Sequence, residues 1–221
     1  MKYLNISVMA LVIGISVTYV SCVTGDSNSV KGNGNLITSE ESASPFEKIN
    51  ISGGAEVRFH ASQEYRTVVT VDSNLLDYIE IVTKGNTLNI GTKVGNYSFT
   101  KYSVDVYCPI VTSVSVSGSG RFKSTDNINV STFSAAISGS GNITVTGSGS
   151  NANIEISGSG TFSGNEFNIN TATVRVNGSG RVIVNVSDDL TANISGSGEI
   201  NYRGNPRINS NISGSGRIRK L

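Results

Sequence analysis

The residue with the clearest chemistry in this sequence is Cys22, which closes the run "YLNISVMALVIGISVTYVSC" (3–22) behind Lys2. A short basic start, a long apolar stretch and a small residue before a cysteine form the pattern of a bacterial leader. Its cleavage leaves that cysteine as the new N-terminus, with a thiol free to be acylated. Ser21 supplies the small residue at −1, while Tyr19 stands where leucine is usual. The expectation is a lipoprotein signal peptide over 1–21, lipidation at Cys22, and attachment to a membrane through that lipid.

The other reactive side chains do not combine. His60 is the one histidine, and a metal site or a nucleophilic triad needs partners that no spacing supplies. Cys108 sits between Tyr107 and Pro109 with no second cysteine or histidine near it, and reads as a small buried hydrophobe. If Cys22 carries lipid, the chain has no pair left for a disulfide. Asp188 and Asp189 offer too few oxygens for calcium. With Glu166 they give only a faint hint of paired acids for glycan hydrolysis. G-x-G recurs, but no G-x-G-x-x-G opens a helix, so the phosphate-cradle logic fails. No catalytic residue, cofactor or metal is expected.

Charge excludes one class of partner. The sequence has 17 basic and 16 acidic residues, and loss of Lys2 with the leader makes the two signs equal. Such a balance does not favour nucleic acid. Charged residues are only 15% of the chain, glycine reaches 25, and tryptophan is absent. Residues 22–35, "CVTGDSNSVKGNGN", are small and polar without period. They read as part of a flexible tether over 22–44, with folding expected to begin between 35 and 50. Runs such as "RTVVTV", "YIEIV" and "YSVDVY", separated by "KGN" and "VGN", are strands and turns. "SNLLDYIE" allows one or two helical turns at most.

From residue 112 a repeat takes over. The first glycines of six S/N-G-S-G units are Gly118, Gly139, Gly158, Gly178, Gly196 and Gly214, at intervals of 21, 19, 20, 18 and 18. A period near twenty is the mark of a solenoid. The residue two before each first glycine is always β-branched: Val116, Ile137, Ile156, Val176, Ile194, Ile212. Phe122, Ile143, Phe162, Val182, Ile200 and Ile218 follow the motif at a constant offset. Spacing of two puts these columns on one face of short strands, which must stack in parallel around an aliphatic core. Glycine then marks a corner where a Cβ would clash, and the serines between the glycines are placed for a ladder. Arg121, Asn142, Thr161, Arg181, Glu199 and Arg217 are expected to point outward, with Glu155 and Arg175 in another outward column. Strand–crossover–strand chirality predicts a right-handed coil. The expected fold class is all-β: a right-handed parallel β-solenoid of about 18–21 residues per coil with G-S-G corners. It is preceded by a β-rich N-terminal part of the same domain, which spans 45–221.

The leader, Phe46 and Ile49, the S-G-G at 52–54, "CPIVTSVSVSGSG" (108–120) and "INYRGNPRINSNISGSGRI" (200–218) occur together. In this combination the chain resembles the bacterial family of putative auto-transporter adhesins with a head GIN domain. The resemblance spans about 35–221 and implies an envelope-associated β-solenoid, in the outer membrane or facing the periplasm or surface. It marks no ligand site. Three functions follow as expectations. The first is a non-catalytic envelope lipoprotein whose solenoid face binds a glycan or an envelope protein. The second is a structural module that self-assembles as a homo-oligomer. The third, less favoured, is a polysaccharide-acting enzyme. Arg217, Arg219 and Lys220 put like charge on the last unit, so two such ends would repel each other.

Overall fold

The structure, a computed structural model, describes residues 29–221, so Cys22 and the expected leader lie outside the described residues. In chain order the first strands are β1 (Val30–Lys31), β2 (Leu36–Ser42), β3 (Lys48–Gly53), β4 (Glu56–Ala61) and β5 (Arg66–Asp72). A 3-10 helix (Ser73–Tyr78) leads to β6 (Ile79–Lys84), β7 (Thr87–Thr92), β8 (Tyr97–Ser98) and β9 (Tyr102–Cys108). The repeat region holds β10 (Ser113–Gly118), β11 (Arg121–Ser124), β12 (Ile128–Gly139), β13 (Asn142–Gly158) and β14 (Thr161–Gly178). It ends with β15 (Arg181–Gly196), β16 (Glu199–Arg203), β17 (Arg207–Gly214) and β18 (Arg217–Lys220).

The repeat strands pair in parallel, each unit on its equivalent. Gly118 pairs with Gly139, Gly139 with Gly158, Gly158 with Gly178, Gly178 with Gly196, and Gly196 with Gly214. The result is a parallel β-solenoid. Its axis is filled by the columns picked out by spacing: Val116, Ile137, Ile156, Val176 and Ile194 are all at most 3% exposed, as are Phe122, Ile143, Phe162, Val182 and Ile200. Each coil has three sides. The first enters the glycine corner, the second leaves it, and a third returns the chain. In β13 the inward alternation breaks at 146–147 and again at 150–151, which marks the other two bends. Register shifts at Thr144/Thr146, Gly164/Asn168 and Ile169/Thr171 absorb the uneven repeat length.

The two glycines of a corner are required for different reasons. Gly158 has φ of +122°, and a Cβ there would lie 2.5 Å from the carbonyl oxygen of Gly139. Gly160 has no such φ, but its Cβ would meet Cγ2 of Ile137 at 2.5 Å and the Gly141 carbonyl at 2.7 Å. The first glycine makes the turn, and the second lets one coil settle on the aliphatic column of the last. The serine between them contributes its amide: Ser159 N–H donates to the Gly139 carbonyl at 2.9 Å, and the same bond recurs at Ser140, Ser179 and Ser197. The expected ladder is therefore built by the backbone, and the hydroxyls remain at the surface.

The solenoid starts earlier than residue 112. The S-G-G at 52–54 is a first corner: Gly53 has φ of +93° and pairs with Gly118, with β3 under β10 and β4 under β11. Beneath these strands lie β7 and β9, also parallel. The chain lays one coil down, reverses to build the coil below it, then passes to the coil above. In that passage the Thr112 amide donates to the Glu47 carbonyl at 2.8 Å. The end of the stack below β7 and β9 is closed by antiparallel strands, β6 on β7 and β5 then β2 on β9.

The tether expected over 22–44 holds two strands, β1 at Val30–Lys31 and β2 at Leu36–Ser42. β2 pairs along its whole length with β5, and β1 pairs with β8. Composition misses this because the anchor is distant in sequence. The buried Asp72 carboxylate accepts the Gly34 and Thr100 amides, each at 2.8 Å. Asn74 accepts the Asn33 amide and donates to the Lys31 carbonyl. Burial works to raise the Asp72 pKa, but the amides of Thr100 and Gly34 outweigh it and hold the carboxyl below its usual range.

Candidate functional site

Among the described residues, the second side brings together one constellation with catalytic form. Register sets Arg58 against Asp105 and His60 against Tyr107 on β4 and β9. His60 Nε2 lies 2.9 Å from Asp105 Oδ1, and its Nδ1 lies 3.0 Å from Thr125 Oγ1, an order of hydroxyl, imidazole and carboxylate. The groups are otherwise engaged. Arg58 holds Asp105 through two bonds of 2.7 and 2.8 Å, and the Thr125 hydroxyl also reaches the Phe59 carbonyl. The His60 ring stacks on Tyr107 at 4.7 Å, and Arg66 covers Tyr107 at 3.7 Å. The hydrogen bonds from Arg58 outweigh burial and hold the Asp105 carboxyl below its usual range, with His60 adding to the effect. This is a clamp that ties the lowest coils together across β4 and β9. The sequence carried its residues in plain alternation, "EVRFHA" and "YSVDVY", but not the register that joins them.

Other residues singled out by type are also accounted for. Cys108 is fully buried, and desolvation pushes its thiol up to about 12, which leaves it inert as a nucleophile. Asp189 pairs with Arg207 at 2.9 Å on the neighbouring coil. Asp188 accepts bonds from Ser187 and Asn170, which lower its pKa, away from what a general acid requires. Arg181 and Glu199 form a ladder pair at 3.3 Å. Glu155 and Arg175 are in register on β13 and β14. Among the described residues no three His, Cys, Asp or Glu side chains gather as a metal-binding group.

The first side differs from the second in charge. The seven coils with a glycine corner offer 21 outward positions on the first side, three per coil. Seventeen are Ser, Thr or Asn, and only Lys48, Glu155 and Arg175 are charged. On the second side, eight of the fourteen positions that follow the corners are charged. The first side is a regular grid of hydroxyls and amides, with rungs about 4.8 Å apart and like-facing residues along a strand roughly 7 Å apart. It includes an amide contact between coils, Asn50 Nδ2 to Asn89 Oδ1 at 3.1 Å. Hydroxyls and amides both donate and accept, so such a grid can meet a neutral polyhydroxyl surface without desolvating an ion. Single-residue scanning of the sequence missed it, because the signal lies in the repeat taken as columns.

Comparison with known proteins places this architecture. A putative adhesin from Bacteroides fragilis NCTC 9343 has the same fold at 19% identity, with a TM-score of 0.73 over 87% of this chain and 100% of that one. A putative lipid binding protein from Parabacteroides distasonis ATCC 8503 is 26% identical, with a TM-score of 0.56 over 87% of this chain and 99% of that one. A putative adhesin from the same strain is 21% identical, with a TM-score of 0.58 over 88% and 100%. No curated protein matches. The profile of one family covers residues 45–206, from before the first corner to Pro206. The chain belongs to the putative auto-transporter adhesin, head GIN domain family.

Proposed function

We propose that this protein is a non-catalytic binding module of the bacterial cell envelope, held to a membrane through lipid on Cys22, that presents its first side to a neutral glycan. The observation that carries the reading is the charge contrast between the sides: 3 charged positions of 21 on the first, 8 of 14 on the second. A regular, hydrogen-bonding face with few charges suits a partner that is extended, polar and uncharged. The adhesin names borne by relatives agree with it. The clamped state of the His60 cluster and the inert Cys108 speak for binding over catalysis.

The test is binding of residues 23–221 to neutral polysaccharides by titration calorimetry. Saturable binding should disappear when Ser138, Ser157 and Ser195, three exposed rungs of one column, are all changed to Glu. Glutamates at Ser131, Ser150 and Ser187 on the third side should leave it intact. Binding that survives the first triple variant, or no binding to any neutral polysaccharide, refutes the reading. The anchor is tested separately: mass spectrometry should find acyl mass on a peptide that begins at Cys22, and Cys22→Ala should release the protein from the membrane fraction.

A further inference from the structure

The two ends of the solenoid differ in charge and match in pattern. At the upper end, β17 and β18 are paired on one side only, with β15 and β16. Ile208, Ser210 and Ile212 continue the buried columns of Leu190, Ala192 and Ile194, yet Ile208 is 43% and Ile212 41% exposed. On β18 the core-side positions are Ile218 and Lys220, in register with Ile200 and Tyr202. Arg203, Arg217 and Arg219 surround this end, so an open apolar core is ringed by positive charge.

At the lower end, the edge strands are β6 and β2. Ile79, Ile81 and Thr83 lie opposite Thr92, Ile90 and Leu88, which places them on the core side of β6. On β2 the core-side positions are Ile37, Ser39 and Glu41, opposite the buried Val71, Val69 and Thr67. A groove of about 350 Å³ opens between these strands, with Glu41, Asp77 and Glu80 beside Leu76, Ile79 and Ile81. Glu40 and Glu41 stand together on β2, with Arg66 paired to Glu40, and Lys84 lies at the far end of β6.

We propose that copies of this protein stack head to tail, with the basic β17–β18 end of one seated on the acidic β2–β6 end of the next. Because β2 lies two strands below β9 and β6 only one strand below β7, β18 joins β2 directly, and the apolar row of β17 faces that of β6 across a step one strand deep. The row Ile218–Lys220 runs along Ile37–Ser39–Glu41, so that opposing Lys220 to Glu41 sets Ile218 over Ser39. Strand directions permit it. β18 follows β4 and β9 through the stack, and two antiparallel steps return β2 to the same direction, giving a parallel pair. β6 runs against β7, so across the step it is antiparallel to β17. The β18 and β2 edges each have unpaired backbone groups, the template for strand addition. Because head and tail are different surfaces, the contact is heterologous and propagates as a filament. The like-charged tails that repel each other never meet in this arrangement. The stacking needs no glycan and stands apart from the reading of the first side.

Among the described residues the buried hydrophobic core runs from Phe46 to Ile200, and residues 23–221, which contain it, serve for the test. Analytical ultracentrifugation at low ionic strength should show species larger than a dimer that grow with concentration. They should fall to monomer near 1 M salt, where the screening length is about 3 Å. Glu41→Lys and Lys220→Glu should each be folded by circular dichroism and monomeric at low salt. An equal mixture of the two should assemble again, since every junction between unlike copies restores an opposite-charge pair. A wild type that stays monomeric at all concentrations means that Glu41 and Lys220 only guard the edges, and overturns the proposal. So does a closed dimer, assembly by either variant alone, or a mixture that stays monomeric.

Discussion

At the scale of single residues, polar groups in this protein serve mainly to join strands that are far apart in sequence. Asp105 is the clearest case, bound by Arg58 and His60 from the adjacent strand. Its carboxyl is held below the usual range, so its contribution has a defined sign with pH. The unfolded carboxyl titrates near pH 3.9. Above that value the clamp stabilises the fold, and the benefit is lost as pH falls through the depressed folded value. Asp105→Asn is expected to cost about 1–2 kcal/mol at pH 7, with the cost shrinking steadily below about pH 4. Urea midpoints of wild type and variant at pH 7 and pH 3 measure this. A gap of equal size at both values would show that the ion pair contributes nothing.

At the scale of elements, one strand position repeated seven times decides inside from outside. Ile156 is fully buried between Ile137 and Val176, while Arg181 is 59% exposed beside Glu199. Ile156→Asp places an unpaired carboxylate in the aliphatic column and should cost about 3–5 kcal/mol. Arg181→Ala removes an exposed ladder pair and should cost under about 1 kcal/mol. Denaturant unfolding of both variants checks the pair, and similar losses would contradict the assignment of the columns.

At the scale of the whole molecule, stability is a sum of coils and their contacts with neighbours, so it falls toward an uncovered end. β17 is exposed at all eight positions, whereas β13 and β14 are each paired on both sides. Hydrogen exchange at high salt, where stacking is suppressed, should therefore find amides of residues 207–220 less protected than those of 142–178. Protection that is uniform along the axis would mean the solenoid opens as one unit. At low salt, the end coil should gain protection as copies assemble.

The sequence alone determined the coil. A glycine that must take positive φ, followed two residues later by one that must admit a neighbour's side chain, cannot vary. The inward columns must likewise remain apolar, so period and spacing make strand, corner and core legible without coordinates. Only the tertiary structure decided how the coils are ordered and how the stack is closed. The corner at Gly53 is 65 residues from its partner Gly118, and the chain between them doubles back to form the coil beneath. No local pattern records that reversal, because parallel strands of like composition could stack in either order. The same holds for Asp72 pinning residues that look like a tether, and for Arg58, Asp105, His60 and Thr125 meeting from three segments. Such contacts depend on register, and register between distant strands is set by the packing of the whole molecule.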